Sequence, residues 1–137
     1  TILSQRYASD ITRTIPINGR YTAEQRAIYQ LVLDAQLAAI AQAQPGRHWN
    51  DVHDAAVHTI TAGLIKLGLL KGSVAKAIKD ERYKDFYMHK TGHWIGLDVH
   101  DVGDYRIEGQ PRLIEAGAAI SVHSGPGALV VSLMPDE

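Results

Sequence analysis

Apolar and polar positions change period several times along the 137-residue chain, and each change marks a different element. Residues 2–17 are rich in β-branched side chains, including Ile11, Thr12, Thr14, Ile15 and Ile17, and the turn signal Asn18-Gly19 follows them. Such a run predicts a strand or hairpin entry. The period then lengthens. Thr22 to Gln25 spells a capping box, which satisfies two of the amides that a helix start leaves unpaired. Behind it Ile28, Leu31, Val32, Ala35, Ala38 and Ala39 recur at helical spacing, predicting a helix to about Gln44, where Pro45-Gly46 stops it. A second helix is expected from Asn50 or Asp51 to about Leu67, with Val52, Ala56, Ile60, Leu64 and Leu67 on its apolar face. Gly68 and Gly72 bracket a turn, and Ser73 caps a short third helix over 74–79. The charge run Asp80 to Asp85 reads as solvated. Tyr105 to Arg112 reads as an exposed hairpin or loop around Gly109, and Glu115 to Gly117 as a turn. Strands are expected over 118–123 and 128–133, and the end from Pro135 is polar. The sum is an α+β domain spanning 1–137, an antiparallel sheet covered by two long helices.

Composition narrows the function classes. An apolar share of 45% suffices for a core. Fourteen basic and fifteen acidic residues leave a formal net charge of -1. That argues against an electrostatic nucleic-acid binder, which would show a basic stripe. There is no Cys, so thiolate ligands, thiol nucleophiles and disulfides are excluded too. No apolar run approaches the roughly 20 residues of a membrane span, and no signal peptide is visible. The expectation is a cytoplasmic protein with no nucleic-acid or membrane partner.

The chemistry is concentrated in Phe86–Gly103, which carries His89, His93, His100, Asp98 and Asp101 among Phe86, Tyr87, Trp94, Ile95, Leu97 and Val99. A half-buried segment with this much imidazole and carboxylate reads as a metal or proton-transfer site. His53 and His58 are five apart and share no helix face, so both read as ordinary helix histidines.

The pattern H-x-x-x-H-x-x-G-L-D-V-H-D, met at His89, His93, Gly96, Leu97, Asp98, Val99, His100 and Asp101, resembles the Xaa-Pro aminopeptidases and prolidases, the pita-bread metallopeptidases. The likeness reaches back to YASDITRT at Tyr7–Thr14 and covers roughly residues 5–117. It implies a shortened pita-bread fold with a curved sheet and no N-terminal family domain. It also implies a metal-dependent hydrolase in which Asp10 and His93 are metal ligands and His89 and His100 move protons, with a small peptide or small-molecule substrate if active. Loss of the family's N-terminal domain and of an edge of the sheet would expose strand edges and so allow a homodimer.

The same resemblance implies a second aspartate that falls upstream of Thr1 and two glutamates near the C-terminal end. His123 stands at the first glutamate position and Ser132 near the second. Two dications about 3.5 Å apart need bridging carboxylates. The surviving set Asp10, His93 and His123 therefore points to one divalent ion (Zn, Mn, Fe or Co), with three protein ligands and open positions. Trp94 is expected to pack beneath the site. His123 at a carboxylate position, together with a start at Thr1, suggests an engineered or truncated derivative with reduced peptidase activity. The alternative reading is a metal-free, non-catalytic scaffold or interaction domain.

Overall fold

The computed structural model describes residues 7–123 and, for the strand at 128–132, the backbone alone. The capping box is formed as the sequence spells it. Thr22 Oγ1 accepts from the Gln25 amide at 3.2 Å, and Gln25 Oε1 accepts from the Thr22 amide at 3.0 Å. Helix α1 (Ala23–Gln42) follows and is about 30 Å long. Helix α2 (Trp49–Lys66) begins one residue before the earliest expected start, because His48 serves as its N-cap and its amide donates to Asp51 Oδ2 at 3.0 Å. Helix α3 (Val74–Lys79) is capped by Ser73. The charge run beyond it closes into a 3-10 turn, Arg82–Asp85, which buries Tyr83 among the helices.

Strand β1 (Gly92–Trp94) takes three residues of the central stretch. A two-residue-a-side hairpin, β2 (Arg106–Ile107) with β3 (Gln110–Pro111), precedes β4 (Ala119–His123) and β5 (Ala128–Ser132). The main sheet runs β1-β4-β5, antiparallel throughout. Its β1–β4 register sets Gly92 opposite Val122, His93 opposite Ser121 and Trp94 opposite Ile120. Gly92 is required there: a Cβ on it would lie 2.5 Å from the Ser121 carbonyl oxygen.

Alternation along β4 decides which face does what. Ile120 and Val122 point into a buried cluster with Ala39, Ala43, Val52, Ala56 and Ile114, between the sheet and the two long helices. Gln36 reaches across from α1 to donate to the Val122 carbonyl at 3.0 Å. A second buried cluster, around Val57, Ile60, Leu64, Leu70, Tyr83 and Tyr87, joins α2 to the α3 region. Ser121 and His123 take the other face of β4.

The one element that departs from expectation is the N-terminal segment. Residues 7–16 form isolated bridges at Ala8 and Arg13 instead of a strand, Ile17 enters the turn, and residues 2–6 of the expected strand lie outside the described residues. Ala8 donates its amide to the Gly96 carbonyl at 2.7 Å, and Ile11, Ile15 and Ile17 are exposed. β-Branched composition favours extension, but a strand also needs a neighbouring edge along its length.

Candidate metal centre

Extended backbone at 7–10 carries Asp10 onto the β1–β4 pair, where one carboxylate oxygen is clamped from both strands. His93 Nε2 lies 3.0 Å from Asp10 Oδ2, and Ser121 Oγ donates to the same oxygen at 3.0 Å. Because His93 and Ser121 are register partners, the sheet itself sets this geometry. The other nitrogen of His93, Nδ1, is 2.9 Å from the Trp94 carbonyl, which can only accept. Nδ1 therefore carries a proton, and in the neutral ring Nε2 presents its lone pair toward a carboxylate. Two lone pairs at 3.0 Å repel unless a proton or a metal cation lies there.

Asp10 feels opposing influences. Burial pushes its carboxyl up, while the hydrogen bonds from Ser121 and His93 and the positive charge of His93 and His123 pull it down; the pull prevails and its pKa is lowered.

The loop after β1 folds back over that strand. Asp101 donates its amide to the Trp94 carbonyl at 3.1 Å and caps the Val102 amide with its own carboxylate at 2.8 Å. This return brings the His100 ring over the His93 ring, with centroids 4.2 Å apart. Asp10, His93 and His100 then present ligand atoms all within 4.8 Å of one another. His123 shares the face, its ring 5.4 Å from that of His93, and His89 lies 5.6 Å beyond His123. The four imidazoles thus form a row in the order His89, His123, His93, His100. Burial, then the neighbouring charges of His93 and His89, lowers the pKa of His123, and Asp10 opposes that only in part.

All five side chains singled out from the sequence are gathered on one face. The trio whose donor atoms converge is Asp10, His93 and His100; His123, assigned a ligand role from the sequence, and His89 stand next to it. Trp94 is on the opposite side of β1, its ring 4.5 Å from Trp49 and beneath the Arg112 guanidinium. Ser132 lies on β5, outside the residues whose side chains are described.

Sequence reasoning missed four supporting residues. Ser121 was visible in principle, since alternation puts it on the face of His123. Thr91, Tyr87 and His53 form a buried network that no local pattern signals. Tyr87 Oη is 2.6 Å from Thr91 Oγ1, and Thr91 Oγ1 is 2.8 Å from His53 Nδ1. Thr91 is 1% exposed and sits midway between His89 and His93, and its carbonyl accepts from the His123 amide at 2.6 Å. Tyr87 Oη also approaches the His123 carbonyl, but at 3.5 Å, so the shorter contact takes the phenol proton. Thr91 then donates to His53 Nδ1, and the proton of His53 sits on Nε2. His53, far from an ordinary helix histidine, has its pKa lowered to about 4 by burial and by the charges of Lys90, His89 and Lys84.

The donor set suits a divalent ion of borderline softness. One carboxylate oxygen and two imidazoles, one of them held through its far nitrogen by a carbonyl, match the N and O preferences of Zn, Fe, Co or Mn.

Residues 1–129 match the model of metallopeptidase family M24. The Xaa-Pro aminopeptidase of Haemophilus influenzae is 49% identical over 119 residues, which is 87% of this chain and 27% of the relative's length. That of Escherichia coli K12 is 42% identical over the same shares. Among solved structures, Pseudomonas aeruginosa aminopeptidase PepP superposes with a TM-score of 0.83 at 59% identity, covering 85% of this chain and 26% of that one. Zinc-substituted E. coli aminopeptidase P in complex with product gives 0.80 at 42% identity, covering 86% and 27%. These likenesses carry the pita-bread fold onto the α+β architecture described above. The chain spans about a quarter of the length of these relatives.

Proposed function

The chain belongs to metallopeptidase family M24, and from that premise we propose that it holds one divalent ion on Asp10, His93 and a third imidazole and supports metal-dependent hydrolysis of small peptides. The observation that carries this is the clamp on Asp10: a His93 nitrogen and a carboxylate oxygen face each other at 3.0 Å with His100 within ligand reach. The trio contains one carboxylate, too few to offset two adjacent dications, so the stoichiometry proposed is one. The donor distances favour His100 for the third place, and His123 is the competing donor.

When bound, a divalent ion supplies Lewis acidity and a more acidic water. The chain's own residues do the rest. Ser121 fixes the carboxylate by donating to Oδ2, so that the orientation of Asp10 is set before any ion arrives. Trp94's carbonyl fixes the tautomer of His93. His89 and whichever of His100 and His123 is not a ligand stand within the imidazole row and can take up or release a proton there. Relatives named Xaa-Pro aminopeptidase point to a peptide with proline in its second position as the substrate to try first.

Calorimetric titration with Zn or Mn tests the reading. One equivalent, abolished in Asp10→Asn and His93→Ala, supports it. Comparing His100→Ala with His123→Ala identifies the third ligand. No binding by the unmodified protein would leave only the metal-free scaffold reading, and two equivalents would mean that carboxylates beyond the trio take part.

A further inference from the structure

A cavity of about 340 Å³ opens between the first turns of α2 and residues 90–92 and 105–106. Its floor is apolar, made by Val52, Ile120 and Val122, the helix-facing side chains of the sheet and α2. Trp49 and Tyr105 form an aromatic wall, with ring centroids 4.9 Å apart. Among the described residues the charged side chains at the cavity are Lys90 and Arg106, and no Asp or Glu lines it. Neither cation is ion-paired among the described residues; Arg106 donates to the Gly109 carbonyl and keeps its positive charge uncompensated. The nearby acids are directed elsewhere. Asp51 caps His48, and Asp54 feels the charge of Lys90 without reaching the cavity. His53 also lines it, with Nδ1 committed to Thr91 and its Nε2 proton remaining as a donor.

An apolar floor, an aromatic wall and a rim of donors without a carboxylate select a ligand with an apolar body and a single anionic head. We propose that this cavity is a binding site for small apolar carboxylates, with Lys90 and Arg106 holding the carboxylate and Trp49 and Tyr105 flanking the body. The volume admits a monocyclic ligand with a short acid arm. None of Asp10, His93 and His100 lines the cavity, although Ser121, which donates to Asp10, does.

The test uses the 137-residue protein stripped of metal by a chelator, titrated with sodium phenylacetate and, separately, with phenylacetamide, its uncharged counterpart, while the Trp49 indole signal is followed by NMR. A ligand of this size binds in the low-millimolar range, so the titration runs to about 20 mM. Saturable shifts at Trp49 with phenylacetate, and affinity weakened about tenfold for phenylacetamide, are expected. Lys90→Gln with Arg106→Gln, both at exposed positions and therefore compatible with folding, should weaken phenylacetate by about tenfold or more, while His100→Ala should leave it unchanged. Absence of saturable shifts, equal affinity for the amide, or indifference to the double substitution would each overturn the assignment. Loss of binding in His100→Ala instead would relocate the anion to the imidazole row and overturn it as well.

Discussion

Thr91→Val isolates the buried network under the histidines. Valine matches threonine in shape, so no cavity opens, and the change removes one hydroxyl. Two contacts go with it, at 2.6 Å to Tyr87 and at 2.8 Å to His53. Each neutral hydrogen bond contributes about 0.5–1.5 kcal/mol net, and a buried group left without a partner costs about 1–3 kcal/mol. Tyr87, 4% exposed, loses its 2.6 Å contact with Thr91 Oγ1 and keeps the long 3.5 Å approach to the His123 carbonyl among its contacts, while half-buried His53 recovers part of its solvation. The expected loss is therefore about 2–4 kcal/mol, a large share of the roughly 5–15 kcal/mol by which such domains are stable. At this chain length it corresponds to a fall in Tm of about 8–16 °C. Urea unfolding at pH 7 measures it, as a lower midpoint with an unchanged slope. Thr91→Ser is the control, since it keeps the hydroxyl and loses one methyl, about 1 kcal/mol. If Thr91→Val proves no more harmful than Thr91→Ser, the network carries no stability and the reasoning is wrong.

Gly92→Ala should cost about 1–3 kcal/mol and weaken metal binding together with stability, because the new methyl meets the Ser121 carbonyl and parts the strands that clamp Asp10; thermal melts and metal titration on one sample check it. Ser121→Ala should keep the fold but loosen Asp10 and lower metal affinity by about tenfold or more, read by calorimetry. The metal-free protein should lose stability on acidification in two stages. His53, ordinarily near 6.5, is lowered to about 4 in the fold, so the unfolded chain binds its proton first and stability falls as pH drops from about 6.5 to 4. Asp10, lowered from 3.8, adds a further loss below about pH 4; His53→Gln should shrink the first stage to the part that the lowered His123 contributes and leave the second, as urea midpoints across pH would show.

The helices were legible because their signals are local: a capping box, a 3.6-residue apolar period and a Pro-Gly stop all lie within the segment they describe. That several of the side chains sharing one face of the sheet would matter was legible for another reason. His89, His93 and His100 cluster in one stretch, and Asp10 stands in a motif whose neighbours matched. What could not be read was which imidazole faces which carboxylate, since that depends on how the 95–101 loop returns over β1. The role of His53 was equally hidden: its spacing from His58 argued for nothing, and its partner Thr91 is 38 residues away. Residues 7–16 do not form the expected strand for the same reason, because pairing is decided by a neighbouring edge and not by composition.

The clamp on Asp10 also has a kinetic and thermodynamic side. Its two contacts span 83 and 111 residues of chain, so no fragment folding locally can assemble the site. Contacts of such long range form only after the loops between them have closed, late on the folding route. A cation that needs the trio would bind the native chain and ignore the unfolded one. At a hundredfold excess over its Kd it would add about 2.7 kcal/mol to stability, so in a metal-rich medium the ion would serve as a folding ligand as well as a reagent.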